Sequence, residues 1–320
     1  MQRIAIVLGL ALLASALAGC ASNNTTTTPT TSTPASSTPA TSTPSGTTPT
    51  TPTPGATPVK DVYYNATQSG QGANSTYAFT GPSDVNPGWV TFHLTNIGQE
   101  PHQLVVVRLA DGETFDEHMA MMMNGSNATM DNGTMMNATE YKDTYVGGIG
   151  NVLPGSTANA TVHLAAGTYV IECEIPGPAG PHFMHGMLRQ LNVTGTDNGA
   201  AEPTGDLTLS LFNYGFAWST PPTAGHHVIK IVNNGTMDHE APMERLVGNK
   251  TMQDFLAWAQ NPQGPPPVDQ ALGAGGISPG QVEYVDVDFE AGHSYGAACF
   301  FLDANGVPHF VHGMVTQWTV

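Results

Sequence analysis

The stretch GWVTFHLTNIGQEPHQLVVVRL (Gly88–Leu109) recurs without gaps as GHHVIKIVNNGTMDHEAPMERL (Gly225–Leu246). In the first copy, apolar residues stand at every second position, at Val90, Phe92 and Leu94. An alternation of period two predicts strands that bury one face in a sandwich or a barrel. Because the alignment continues further along both copies, the chain is expected to contain the same β-structure twice.

A second pair of matching stretches contains residue types that bind soft metals. CEIPGPAGPHFMHGM (Cys173–Met187) and CFFLDANGVPHFVHGM (Cys299–Met314) share the order Cys, Pro-His-Phe and His-Gly-Met. His102 and His239, which align with each other in the first pair of stretches, add an upstream imidazole to each copy. Two imidazoles and a thiolate with a weak axial thioether form the blue copper site, so each copy holds the residues for one copper ion.

The two copies resemble the cupredoxin family from about residue 60 to 195 and from 205 to 320. NIGQEPH, which ends at His102, is similar to the Asn-X-Gly-X-X-Pro-His sequence around the first copper ligand of plastocyanins. The Cys-x8-His-x4-Met spacing that starts at Cys173 resembles the type 1 site of copper nitrite reductases, and the second copy has nine residues between Cys and His. The resemblance implies one type 1 copper in each copy, with the ligands His102, Cys173, His182 and Met187 in the first and His239, Cys299, His309 and Met314 in the second.

Two further histidines, His185 and His312, lie between the expected His and Met ligands. Each is an alternative ligand, but the four residues between His and Met favour His182 and His309. Outside the site, His185 and His312 would be electron-entry points or ordinary surface residues. Taken singly, a buried Cys is often a small hydrophobe and a lone Met is usually core. The complete set, occurring twice, favours copper.

The repeat predicts an all-β protein of two tandem Greek-key β-sandwich domains of the cupredoxin-like type. We assign domain 1 to residues 59–195, a linker to 196–204 and domain 2 to 205–320. Each domain is expected to contain one short inserted helix, at Thr114–Met123 and at Thr251–Gln260, in matching places after an Arg-Leu pair.

The N-terminal sequence predicts export. Residues 1–19 have a basic start and an apolar run, and the following Cys20 completes the LAGC ending of a lipoprotein signal peptide. We expect residues 1–19 to be removed and Cys20 to carry lipid. Residues 20–58 have the Thr/Pro/Ser-rich composition of an extended, O-glycosylated stalk, and the chain has twelve Asn-X-Ser/Thr sequons. The predicted location is the cell surface, anchored by lipid to the outer face of the membrane.

The charge of the chain limits its partners. The net charge is −17, although only 10% of the residues are charged. The scarcity of Lys and Arg argues against nucleic acid, because binding it requires basic surface. A redox partner protein is more compatible with this charge than nucleic acid is. If electrostatic attraction contributes to binding, the partner would be cationic. The sequence gives no prediction of the oligomeric state.

The residues beside the two ligand cysteines bear on enzyme activity. Multicopper oxidases and copper nitrite reductases place a His next to the ligand Cys, whereas here the neighbours are Glu172 and Glu174, and Ala298 and Phe300. No His-X-His pair occurs in the chain. The sequence therefore predicts an electron carrier and not a catalyst, with no catalytic residues.

One-electron transfer through a type 1 copper in each domain is the predicted function. Copper capture or delivery is the first alternative, because HMAMMMNGSNATMDNGTMM (His118–Met136) contains seven of the fourteen methionines and thioethers bind Cu(I). The same methionines could instead pack one face of a helix. A metal-free, structural surface glycoprotein is the second alternative.

Overall fold

The computed structural model describes residues 57–124 and 143–320. The predicted signal segment 1–19, the predicted lipidation site Cys20 and the stalk up to residue 56 lie outside these ranges. So does the Met-rich stretch after residue 124. Within the described ranges, no helix is both long and apolar enough to cross a membrane.

The described residues form nineteen β-strands and two α-helices. The strands of the first half are β1 (Lys60–Ser69), β2 (Thr76–Thr80), β3 (Asp84–Val85), β4 (Gly88–Asn96), β5 (His102–Arg108), β6 (Thr144–Val152), β7 (Thr157–Leu164), β8 (Gly167–Glu172), β9 (Pro176–Gly177), β10 (Gly180–Pro181) and β11 (Leu188–Val193). Those of the second half are β12 (Leu207–Phe212), β13 (Gly215–Trp218), β14 (Gly225–Asn233), β15 (His239–Leu246), β16 (Val268–Ile277), β17 (Val282–Phe289), β18 (Ser294–Ala298) and β19 (Val315–Thr319). The helices are α1 (Phe115–Asn124) and α2 (Met252–Gln260), and short 3-10 turns cover Gly72–Asn74, His182–His185 and His309–His312.

The strands form two large mixed sheets. Sheet 1 has the order β13-β12-β14-β17-β7-β4-β1-β2, and sheet 2 has the order β19-β18-β15-β16-β6-β5-β8-β11-β3. Read outward from the middle of each sheet, the second half follows the same strand order as the first, so the repeat in sequence is a repeat in topology. The all-β prediction is confirmed, and the arrangement is a cupredoxin-like sandwich with one short helix inserted in each half.

Both sheets continue from one half into the other. In sheet 1, β7 pairs with β17 through Thr161 and Tyr284, and in sheet 2, β6 pairs with β16 through Ile149 and Ala274. One cluster of buried apolar side chains contains residues of both halves. The division into domains at 59–195 and 205–320, with a linker between them, stays a prediction.

The alternation read from the sequence explains which faces are buried. In β4 the side chains of Val90, Phe92 and Leu94 are fully buried, while the residues between them are partly exposed. In β14 the buried apolar positions are Ile229 and Ile231, again two residues apart. Because side chains alternate across a strand, each strand turns one apolar face toward the other sheet.

The two inserted helices begin with matching caps. At the start of α1, the hydroxyl of Thr114 donates to the Glu117 carboxylate and accepts from the Glu117 amide. Thr251 and Asp254 form the same reciprocal pair at the start of α2. Such a capping box satisfies backbone donors that the first turn leaves unpaired. Both helices lie within one residue of the positions predicted from the sequence.

Sheet 2 positions the predicted ligands. β5 begins at His102, β8 ends one residue before Cys173, and β11 begins one residue after Met187. Because β8 pairs with both β5 and β11 in the antiparallel sense, these three ends meet at the same edge of the sheet. β15, β18 and β19 bring the corresponding residues of the second half together in the same way.

Candidate metal centres

A buried asparagine holds the loop before each upstream histidine. The Asn96 side chain donates to two main-chain carbonyls and accepts from the amide of Gly98, each at 2.8 Å. Asn233 makes the equivalent three bonds in the second half, at 2.8–2.9 Å. Because a buried amide side chain is stable only when its polar atoms are paired, these bonds fix the loops that lead into His102 and His239.

Glycine lets each of these loops pack against the imidazole ring. A Cβ added at Gly98 would lie 2.8 Å from Nε2 of His102, and one added at Gly235 would lie 2.8 Å from Nε2 of His239. Any larger residue would therefore have to displace the ring or the loop. The Asn-X-Gly pattern in both copies has this physical reason.

Main-chain hydrogen bonds close the loop that carries the other ligands. The Cys173 amide donates to the Met187 carbonyl at 3.1 Å, and the Met187 amide donates to the His182 carbonyl at 3.0 Å. The Phe183 amide returns to the Cys173 carbonyl at 3.0 Å. The second half has the same three bonds between equivalent residues. The loop is thus held at both ends, and Met187 and Met314 lie fully buried beside their cysteines.

Two imidazole nitrogens and one sulfur converge in the first half. Nδ1 of His102 lies 3.0 Å from Nδ1 of His182, and Cys173 Sγ lies 3.4 Å from the His182 nitrogen and 4.0 Å from the His102 nitrogen. All three residues are 0% exposed. The arrangement is a compact triangle of donor atoms that solvent does not reach.

The second half repeats this triangle. Nδ1 of His239 lies 3.1 Å from Nδ1 of His309, and Cys299 Sγ lies 3.4 Å and 3.9 Å from the His309 and His239 nitrogens. These residues are also fully buried. The two triangles agree to within 0.1 Å on each edge.

The triangles fit a single metal ion. An ion in the plane of the three donors, bonded at about 2.0 Å to nitrogen and about 2.3 Å to sulfur, would hold the donors about 3.5–3.8 Å apart. The observed edges of 3.0–4.0 Å span that range. Two imidazoles and a thiol are the donor composition of type 1 copper, and the chain has this composition twice.

Burial keeps the donors uncharged when no metal is bound. It raises the pKa of the Cys173 thiol to about 12 and lowers the pKa values of His102, His182 and His239 to about 4. For His102 and His239 the partner imidazole lowers the pKa further. A metal ion must therefore displace the thiol proton, whereas the imidazole nitrogens are already available as ligands.

Each ligand loop contains two histidines that could bind copper, and the structure shows which of them lies in the donor group. His182 and His309 lie in the two donor groups, whereas His185 and His312 do not. The His312 side chain is 37% exposed, and its Nε2 lies 3.0 Å from Asp303 Oδ2. His185 is half-buried, its ring lies close to Gly180, and it contributes no atom to the donor triangle.

Two residues next to the first triangle were not identified from the sequence. Glu100 Oε2 lies 3.2 Å from Nε2 of His182, and the Tyr77 ring stacks on that imidazole at 3.9 Å between centroids. The Tyr77 hydroxyl is also within hydrogen-bonding distance of Glu100, at 3.1 Å. The gapless alignment could have indicated Glu100, because it aligns this residue with Met237 and so shows a difference within otherwise matching ligand loops.

The solved structures to which this chain is similar include copper proteins. A multicopper oxidase is 12% identical and covers 82% of this chain and 89% of its own, with a TM-score of 0.26. Auracyanin A, a blue copper protein from Chloroflexus aurantiacus, is 19% identical and covers 42% of this chain and 99% of its own, with a TM-score of 0.26. The copper nitrite reductase from Nitrosomonas europaea is 14% identical and covers 81% and 93%, with a TM-score of 0.24. No protein-family model matches the chain, and no curated protein matches it.

These comparisons correct the prediction that the chain is not a catalyst. The similar structures include a multicopper oxidase and a copper nitrite reductase, which are enzymes, and this contradicts the exclusion of an enzyme. At identities of 12–14% and TM-scores of 0.24–0.26, the likeness assigns no reaction to this chain.

Proposed function

We propose that the protein binds one type 1 copper ion in each half and transfers single electrons through these ions. The observation that carries the proposal is the pair of buried donor triangles, each with two imidazole Nδ1 atoms and one cysteine Sγ. Copper bound in such a donor set supplies a one-electron couple. In this proposal Met187 and Met314 would each supply a thioether ligand to the ion in their half.

The surrounding residues would keep the donors in place when the charge of the ion changes. Asn96 and the main-chain bonds of the Cys173 loop fix the ligand-bearing segments before any metal arrives. Full burial of His102, Cys173 and His182 excludes water from the donor atoms. A rigid, dry donor set limits rearrangement between the two oxidation states, which suits electron transfer.

The proposal also includes a location and a partner. The LAGC ending before the stalk supports a lipid anchor at Cys20 on the outer face of the cell membrane. The net charge of −17 supports a redox partner protein with a cationic docking surface. Both statements rest on the sequence.

Copper loading of the purified protein tests the proposal. We expect two copper ions per chain and an intense blue or green thiolate charge-transfer band. Cys173→Ser and Cys299→Ser should each remove about half of this band, and the double variant should remove all of it. A protein that takes up no copper, or a band that neither substitution changes, would overturn the proposal.

Copper capture or delivery is distinguished by redox behaviour. An electron carrier should be reduced and reoxidised repeatedly at both sites, with one electron per copper and without loss of metal. A delivery protein should release Cu(I) to a chelator soon after reduction. The Met-rich stretch His118–Met136 supports delivery, although Met122 is buried in α1 and packs as core.

A further inference from the structure

A second kind of donor cluster lies between α1 and sheet 2. His118 Nδ1 lies 3.1 Å from Asp143 Oδ2 and 3.5 Å from Glu113 Oε1. The three donor atoms lie within 4.8 Å of one another. The side chains of His118 and Asp143 are 0% exposed, and that of Glu113 is 15% exposed. The cluster is separate from the copper ligands and joins the start of α1 to the residue that precedes β6.

The spacing suits one divalent cation. An ion bonded to three corners of a tetrahedron at about 2.0–2.1 Å would hold the donors about 3.3 Å apart. The distances of 3.1 Å and 3.5 Å from His118 Nδ1 lie on either side of that value. One imidazole and two carboxylates leave room for a water as the fourth ligand, and the partly exposed Glu113 provides the entry path.

A fourth residue lies on the opposite side of the imidazole. Glu172 Oε2 is 3.7 Å from Nε2 of His118, and the Glu172 side chain is 0% exposed. Neither Glu172 oxygen has a hydrogen-bond partner among the described residues. Metal-binding histidines commonly donate their second N–H to a carboxylate, which fixes the orientation of the ring while the first nitrogen binds the metal. Glu172 stands in the place of that carboxylate.

The second half of the molecule shows that the fold does not require a polar cluster here. His118 and Phe255 each donate their amide to the N-cap threonine of their helix, so they occupy equivalent positions. Glu172 precedes Cys173 as Ala298 precedes Cys299. Phe255 and Ala298 pack in a small apolar cluster with Leu246, Met252 and Val268. One half therefore buries apolar side chains where the other buries an imidazole and a carboxylate.

Burying polar and ionisable groups is costly unless they are paired or bind a metal. The apolar version of this contact, present in the same molecule, would avoid the cost. We propose that Glu113, His118 and Asp143 bind a divalent cation of the zinc type, with Glu172 orienting the imidazole. The cation would tie α1 and the start of β6 to the strand that leads into Cys173.

Zinc stoichiometry of the full, metal-free chain tests this site. The chain is equilibrated with Zn²⁺, desalted and analysed for metal, and the wild-type protein is compared with Asp143→Asn. Because the two cysteine sites offer ligands that zinc also accepts, the readout is the difference between the two proteins. We expect wild-type protein to hold one more zinc ion than Asp143→Asn. Asp61→Asn, in the exposed His93–Asp61 pair, is the matched control and should hold as many ions as wild type.

Two further variants keep the test decisive if Asp143→Asn folds poorly. His118→Phe combined with Glu172→Ala copies the second half, so it should fold and lose the same single zinc ion. Glu172→Gln should keep the ion with an affinity lower by about 10- to 100-fold. Zinc should also raise the melting temperature of wild-type protein more than that of the Phe/Ala variant. Equal zinc counts in wild-type protein and the Phe/Ala variant would overturn the proposal and leave a buried ion-pair network.

Discussion

Glu100 Oε2 lies 3.2 Å from Nε2 of His182, while Met237 occupies the aligned position beside the second site. Gln68 donates to the same carboxylate at 2.7 Å, and the Tyr77 hydroxyl is in contact with it. The two donor triangles are therefore nearly identical, but among the described residues only the first has a carboxylate within hydrogen-bonding distance of a ligand imidazole. This difference predicts two sites with different redox potentials.

Replacing Glu100 by Gln should raise the potential of the first site. A carboxylate that accepts from the ligand imidazole increases its basicity and stabilises the oxidised ion. We expect wild-type protein to show two one-electron steps, with the lower potential at the first site. Glu100→Gln should raise the potential of that site by on the order of 60 mV, which is equivalent to a tenfold change in a one-electron equilibrium. A potentiometric titration followed at the charge-transfer band measures both steps.

Cys173→Ser and Cys299→Ser assign each step to its site. The matched substitution is Met237→Glu, which should lower the step of the second site and leave the first unchanged. Two coincident steps in wild-type protein, or a Glu100→Gln titration that coincides with wild type, would show that this carboxylate does not tune the site.

Gly98→Ala should weaken copper binding at the first site alone. The new Cβ would lie 2.8 Å from His102 Nε2 and 3.2 Å from Asn96 Oδ1, so the ring or the loop must move. We expect the affinity of this site to fall by about 10-fold or more, since loss of ligand orientation has effects of that size. Competitive titration with a copper chelator provides the measurement. Gly215→Ala, where an added Cβ meets nothing within 4 Å, is the control and should bind as wild type.

Asn96→Ala should destabilise the fold and loosen the loop before His102. The substitution removes three hydrogen bonds of a fully buried side chain and leaves their main-chain partners unsatisfied. We expect a loss of about 3 kcal/mol in the free energy of unfolding. Denaturant unfolding of the metal-free protein measures it. Asn65→Ala, at an exposed asparagine, should change stability by less than about 0.5 kcal/mol; equal losses in both variants would contradict the assigned role.

Glu244 should make stability fall as the pH rises. Burial raises the pKa of this carboxyl from 4.5 to about 8 in the folded protein, although Asn151 donates to it at 2.7 Å. Between pH 4.5 and 8 the folded state holds a proton that the unfolded state has released, so the stabilisation is complete below pH 4.5 and is lost as the pH rises through 8.

The variant Glu244→Gln isolates this effect. It removes the titrating group. Within this pH window, its free energy of unfolding should decrease with pH less steeply than that of wild type, and the two slopes should differ by about 1.4 kcal/mol per pH unit. Denaturant unfolding of the metal-free proteins at several pH values gives both slopes. Parallel pH profiles for wild-type protein and Glu244→Gln would show that Glu244 does not carry the effect.

Much of the fold could be predicted from local features of the sequence. The period-two alternation in β4 and β14 marks strands because neighbouring side chains of a strand point to opposite faces. Thr114 with Glu117, and Thr251 with Asp254, mark the starts of the helices because a capping box is complete within four residues. The ligand stretches after Cys173 and Cys299 could be identified because their order is repeated.

The contacts that modify the sites could not be predicted in the same way. Glu100 reaches His182, and Glu113, His118 and Asp143 meet, across separate segments of the chain. Sequence reasoning placed His118 only in a Met-rich stretch and did not assign it a partner. Its exclusion of an enzyme, made from the residues next to each Cys and from the missing His-X-His pair, is contradicted by the similar structures, which include a multicopper oxidase and a copper nitrite reductase.

The sequence by itself determined that one β-structure occurs twice and that each copy holds a Cys, a Met and histidines in a fixed order. Alternation, caps and ligand spacing are local properties, because each involves residues that are close together in the sequence. The spacing to the methionines favoured His182 and His309, and the tertiary structure decided that they, and not His185 and His312, face the two cysteines. It also decided that β7 meets β17, that β6 meets β16, and that the Glu100 carboxylate lies beside the imidazole of His182. These relationships depend on strand register and sheet packing, which bring together atoms that are far apart along the chain.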